Sequence, residues 1–147
     1  MLNFSLEKLL GSIFSVAVGN PSLANAAGTR NGAAIDRATP GGVRYAGMSV
    51  VAECGAATGK PSAQTLDAKV QDSADGSTGW ADYIPPGEST VAAVPQLAAD
   101  GAISKVDVDL SGAKRYVRIV ETVALTGGTS PKLPASEVVV LYGGDRT

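Results

Sequence analysis

The chain of 147 residues contains no histidine and a single cysteine, Cys54. The first absence removes the commonest general base and the commonest metal ligand. The second excludes an intrachain disulfide and leaves a cysteine nucleophile without an imidazole partner. Cys54 ends the apolar run Met48-Ser49-Val50-Val51-Ala52, so it is expected as a small buried hydrophobe. Aromatic residues make up only 5% of the chain. A carbohydrate-binding platform would have to be assembled from Tyr45, Trp80, Tyr83, Tyr116 and Tyr142, which is too few to favour that function. The net charge of −2 leaves no basic surplus for a phosphate backbone, so neither DNA nor RNA is an expected partner. No apolar run reaches the roughly 18–20 residues that span a bilayer, so no membrane partner is expected either.

Short motifs that could carry chemistry fail on spacing. Gly55–Pro61, G-A-A-T-G-K-P, has three residues between its glycines, and Pro61 stands where a phosphate loop needs Ser or Thr. It is expected as a hairpin loop. Asp72, Asp75 and Asp82 offer oxygen ligands, but a calcium loop requires a different ladder of acids and a closing Glu. A turn capped by Asp side chains is the simpler reading. Asp107 and Asp109 share a strand face, and Lys114, Arg115 and Arg118 follow across a turn, a pattern of cross-strand ion pairs rather than of a glycosidase acid pair. No G-x-S-x-G elbow is present. No enzymatic activity, cofactor or metal is therefore expected.

What is present is a chain rich in Ala, Gly, Val, Ser and Thr, with 18 Gly and 8 Pro. Small and β-branched residues broken by turn formers favour short strands. Period-two alternation predicts strands over Arg44–Glu53, Thr65–Gln71, Trp80–Ile84, Ser89–Val94, Ile103–Leu110, Lys114–Leu125 and Ser136–Tyr142. Val106, Val108 and Leu110 fall on one face against Asp107 and Asp109. In the next strand Arg115, Val117, Ile119, Glu121 and Val123 share a face. The fold class is therefore all-β, an antiparallel β-sandwich of seven or eight strands, with jelly-roll and immunoglobulin-like topologies both open.

The first 42 residues differ from the rest. Leu2, Leu6, Leu9, Leu10 and Ile13 recur at three- and four-residue steps, which predicts a short amphipathic helix over residues 4–18, ended by Gly19-Asn20-Pro21. Leu9–Gly19, followed by Ala24-Asn25-Ala26, also has the look of a secretory leader, although Glu7 beside Lys8 leaves its head barely positive. Residues 19–42 read as an extended linker ordered by a partner, with an edge strand near Ala33–Asp36. The expected division is an N-terminal helical and extended arm, residues 1–42, and a sandwich domain, residues 43–147.

Three stretches carry a family likeness: V-Q-D-S-A-D-G-S-T at Val70–Thr78, V-D-L-S-G-A-K-R-Y-V-R-I-V at Val108–Val120, and V-V-L-Y-G-G-D-R at Val139–Arg146. A fourth, R-N-G-A-A-I-D-R, occupies Arg30–Arg37. Together they resemble the head decoration, or capsid cement, proteins of tailed bacteriophages. The resemblance implies a virion protein on the outer capsid surface whose partners are the major capsid protein and further copies of this chain, a homotrimer among the assemblies allowed. It implies no catalytic residues. The candidate contact residues are Leu6, Leu9, Leu10, Ile13 and Phe14 on the apolar arm and the cations Arg30, Arg37, Arg115 and Arg118. A carbohydrate-binding sandwich and a tail or head-completion subunit are the alternatives.

Overall fold

The computed structural model describes residues 14–38 and 43–146. Ten strands form two antiparallel sheets: β1 (Ser15–Asn25), β2 (Gly28–Asn31), β3 (Ile35–Asp36), β4 (Val43–Cys54), β5 (Ala63–Ser73), β6 (Ala81–Asp82), β7 (Ala93–Leu97), β8 (Ile103–Asp109), β9 (Tyr116–Thr126) and β10 (Leu133–Arg146). The first sheet has the order β1-β10-β4-β8. In the second, β5 and β9 pair along their whole length. The short strands β2 and β3 flank β9, and β6 and β7 flank β5.

Alternation explains the packing. In β9, Val117, Ile119 and Val123 point inward, and in β10 Leu133, Ala135, Val139 and Leu141 do the same. Met48, Val50 and Ala52 of β4 and Leu66, Ala68 and Val70 of β5 complete the layer between the sheets. Each fully buried Val, Leu or Ile contributes about 1.5–3 kcal/mol, so an aliphatic core holds this sandwich with little aromatic help. Tyr83, an exception, is 4% exposed and donates its hydroxyl to the Asp109 carbonyl at 2.7 Å.

The N-terminal expectation needs correction. Among the described residues there is no helix. Residues 4–13 of the expected helix lie outside the described residues, and Ser15–Val18 are strand, paired with Leu141–Val138. Gly19-Asn20-Pro21 does not end an element; β1 runs through it with two register shifts. Gly and Pro are tolerated there because β1 is an edge strand and the irregularities are bulges. Residues 19–38, expected as a linker, instead supply strands to both sheets, so the chain up to Ala38 is hydrogen-bonded to residues on the far side of the expected boundary at 42. The crossing is close: a Cβ on Gly32 would lie 2.2 Å from the Gly19 carbonyl oxygen. Only a residue without a side chain lets the two backbones meet.

Candidate functional site

The outer face of the first sheet carries an apolar row. Register puts Val16 of β1 opposite Val140 of β10, and Val18 opposite Val138, which in turn faces Val51 of β4. Val16 is 70% exposed, Val18 55% and Val138 41%. Phe14, 46% exposed, precedes the row. By alternation it falls on the Val16 side, next to Tyr142. The Tyr142 ring lies over Gly47, where a Cβ would come within 2.2 Å of it. A groove of about 330 Å³ opens beside that ring, lined by Gly47, Asp107, Asp109 and Tyr142.

The two edges of this sheet are built differently. On β8, Lys105, Asp107 and Asp109 alternate outward; Lys105 and Asp107 pair at 2.9 Å and Ser49 donates to Asp107. Charges on an edge discourage pairing with another chain. β1 has no charged residue from Ser15 to Asn25. Among the described residues no strand pairs with its outer backbone edge, and the side chains flanking it are apolar. An uncharged strand edge beside exposed valines lacks the charges that discourage pairing with another chain.

The residues singled out in the sequence do not converge on one surface. Leu6, Leu9, Leu10 and Ile13 lie outside the described residues. Phe14 borders the apolar row. Arg30 is a strut: it donates to the Pro21 carbonyl at 2.8 Å, to Glu121 at 2.8 Å and to the Ala135 carbonyl at 3.2 Å. Arg37 is 3% exposed, so it is not available for a partner as expected. It donates to the carbonyls of Lys114 at 2.8 Å, Tyr45 at 2.9 Å and Ala113. Burial, and secondarily the charge on Arg44, holds its pKa below the ordinary guanidinium value; the charges of Tyr83 and Asp72 pull it back.

Arg115 and Arg118 sit on the second sheet, away from the apolar row. Arg115 forks onto Asp36 at 2.8 Å and lies 5.2 Å from the Tyr116 ring centre. Its hydrogen bonds hold the Asp36 carboxyl below the usual carboxylate range. Arg118 donates to Gln71 at 2.7 Å and stacks 4.4 Å from the centre of the Trp80 ring. Charges do pair across strands, but with other partners than expected: Lys114 meets Asp72 at 3.4 Å, and Asp109 caps the Ser111 amide at 2.8 Å.

Groups considered for chemistry have structural roles. Cys54 is buried as expected, its thiol donating to the Ala99 carbonyl at 3.1 Å; burial pushes its pKa up, away from thiolate. Asp75 organises the turn after β5, accepting the amides of Ser77 and Thr78 and the Thr78 hydroxyl, which hold its carboxyl well below the usual range. Among the described residues no three His, Cys, Asp or Glu side chains gather as a metal site, and no helix is long and apolar enough to cross a membrane. Tyr45 and Tyr83 are buried and Trp80 is covered by Arg118, so the aromatics form no common platform.

No family model and no curated protein sequence matches the chain. Solved structures similar in fold include viral capsid proteins. One is from the capsid of Helicobacter pylori bacteriophage KHP30, with 13% identity, 88% of this chain and 87% of that chain covered, and a TM-score of 0.47. Another is from infectious bursal disease virus, Gx strain, with 11% identity, 90% and 32% covered, and a TM-score of 0.45. A third, the CBM22-1–GH10 modules of Clostridium thermocellum xylanase 10B with xylohexaose, has 8% identity, 92% and 27% covered, and a TM-score of 0.40. Likenesses at these levels are of architecture and carry no argument for function, which is left to the residues of this chain.

Proposed function

We propose that this chain is a non-catalytic structural protein of a virion that attaches to the outer surface of a phage capsid and braces contacts between major capsid protein subunits. The observation that carries the reading is the uncharged β1 edge and the row of exposed valines beside it, set on a sheet whose opposite edge is guarded by charge. The resemblance of Val70–Thr78, Val108–Val120 and Val139–Arg146 to capsid cement proteins suggests the class of partner. A lattice multiplies a modest contact, because many copies engage at once.

Attachment of this kind buries Val16, Val18 and Val138 against the shell and extends the sheet through β1. Removing residues 1–38 is not a clean test, because it takes three strands from the sandwich. The test is the pair Val16→Asp with Val18→Asp, measured by co-sedimentation with undecorated capsids. Burial of two valines is worth about 3 kcal/mol or more, so the double variant binds roughly a hundredfold more weakly. Lys105→Ala on the guarded edge keeps wild-type occupancy. Undiminished occupancy of the double Asp variant overturns the assignment of this face. Copy number per particle separates decoration, with hundreds of copies, from a connector with six or twelve.

A further inference from the structure

Behind the β1 edge two carboxylates meet between the sheets. Glu121 of β9 is 1% exposed and Glu137 of β10 is 0% exposed. Both stand on inward faces, one between Ile119 and Val123, the other between Ala135 and Val139. Their donors come from β1 and β2. Asn20 donates to Glu137 Oε2 at 2.8 Å, Asn25 to Glu121 Oε1 at 2.8 Å and Arg30 to Glu121 Oε2 at 2.8 Å. Glu137 Oε1 is buried with no donor. An apolar pair would fill this space at lower cost, since isolated buried carboxylates are expensive.

The charges facing Glu137 are few. Arg30 of β2 and Glu121 of β9 are the two that act on it. From β4 the register partner is Ala52, while the neighbouring Glu53 bonds Ser136 on the exposed side. From β5 the residue opposite Glu121 is Ala68; its neighbours Asp67 and Lys69 are engaged outside by Gln96 and Asp82. One guanidinium thus serves two acids. A hydrogen on Glu137 Oε1 balances the cluster and satisfies the orphaned oxygen.

We infer that Glu137, set against Glu121 and served with it by Arg30, forms a latch that keeps β1 and β2 on the sandwich at low pH and loosens them as pH rises. Burial first, and the Glu121 charge second, push the Glu137 carboxyl up to about 8, helped by a hydrogen bond with Glu121 and opposed by Asn20 and Arg30. When β1 and β2 lift, water reaches the cluster and Glu137 returns to the ordinary carboxyl range. Opening and proton release are then one linked step. The raised group favours the closed form fully below the ordinary value, and that advantage is lost as pH climbs toward 8. The opening constant rises about tenfold per pH unit across that window. β1 can move because, among the described residues, only one of its edges is paired. The inference concerns the isolated protein and stands whether or not β1 faces a capsid.

Amide hydrogen exchange of the full chain, corrected for intrinsic chemistry, tests it. Between pH 5.5 and 7.5, protection across residues 15–31 falls about a hundredfold, tenfold for each of two pH units, while β5 and the centre of β9 hold theirs. Glu137→Gln keeps an acceptor for Asn20 and cannot ionise, so its protection is flat with pH. A flat wild-type profile, an equal fall in Glu137→Gln, or a fall spread evenly over all strands overturns the latch. Should that variant fail to fold, carboxyl-carbon NMR of the wild type decides. A glutamate titrating above pH 7 upholds the latch, and glutamates all titrating in the ordinary range refute it.

Discussion

Replacing Arg37 by methionine tests whether the buried guanidinium ties the β3 segment to β4 and to the turn before β9. The side chain closes on the carbonyls of Lys114, Ala113 and Tyr45, joining the β3 segment to the turn before β9 and to β4. Each carbonyl left without a donor costs about 1–3 kcal/mol, giving roughly 3–9 kcal/mol for three. Methionine keeps the apolar stem and removes a buried charge whose desolvation already opposes folding, which offsets part of that loss. A net destabilisation of about 4 kcal/mol results. For a chain of this size one kcal/mol moves Tm by about 3 °C, so the variant melts about 12 °C lower. Urea unfolding followed by circular dichroism measures it. A loss below about 1 kcal/mol refutes the strut. Weakened capsid attachment at unchanged stability would return Arg37 to the contact role expected from the sequence. Arg115→Ala, on an exposed pair, leaves the melting temperature nearly unmoved.

Three further outcomes follow from the same geometry. Global stability of the wild type declines from about pH 5 to pH 8, because Glu137 is protonated in the fold and ionised when unfolded. The rise from 4.5 to about 8 sets an upper value of about 5 kcal/mol, and urea midpoints of Glu137→Gln lack that slope. Gly32→Ala forces apart Gly19 and Ile119, whose oxygens would lie 2.2 and 2.9 Å from the new carbon; equilibrium unfolding shows a loss of about 2 kcal/mol. Asp75→Asn removes a carboxyl held low by the turn, so the stability its ionised form adds above the ordinary carboxyl range, which the wild type loses as pH falls below that range, is absent, and urea midpoints of the variant decline less steeply in acid.

Strands buried on one face were legible in the sequence. Arg44–Glu53 and Thr65–Gln71 alternate cleanly and form β4 and β5 with ends shifted by one or two residues. The same alternation put Glu121 on the face of Val117, Ile119 and Val123, where an acid must find donors inside; that was the available signal for the latch. Glu137 was hidden inside the apolar run that follows it. β1 was misread because leucine spacing before residue 14 was carried into Ser15–Val18, where Ser, Val, Ala, Val already alternates. An edge strand exposed on one face, with Gly19 and Pro21 at its bulges, lacks the dense β-branched pattern that marks central strands. Arg37 could not be placed from sequence, since two carbonyls of the turn before β9 and one of β4 carry no local pattern.

The pairing of β1 with β10 has a consequence for how the protein is made. Asn20 and Glu137 stand 117 positions apart, yet they touch. During synthesis at about 5–20 residues per second, β1 waits roughly 6–23 seconds for the strand that covers it. Its uncharged edge is open to other nascent chains throughout that interval. Closure of the first sheet therefore waits until β10 has been made, and until then β1 is the part of the chain most open to pairing with the wrong strand.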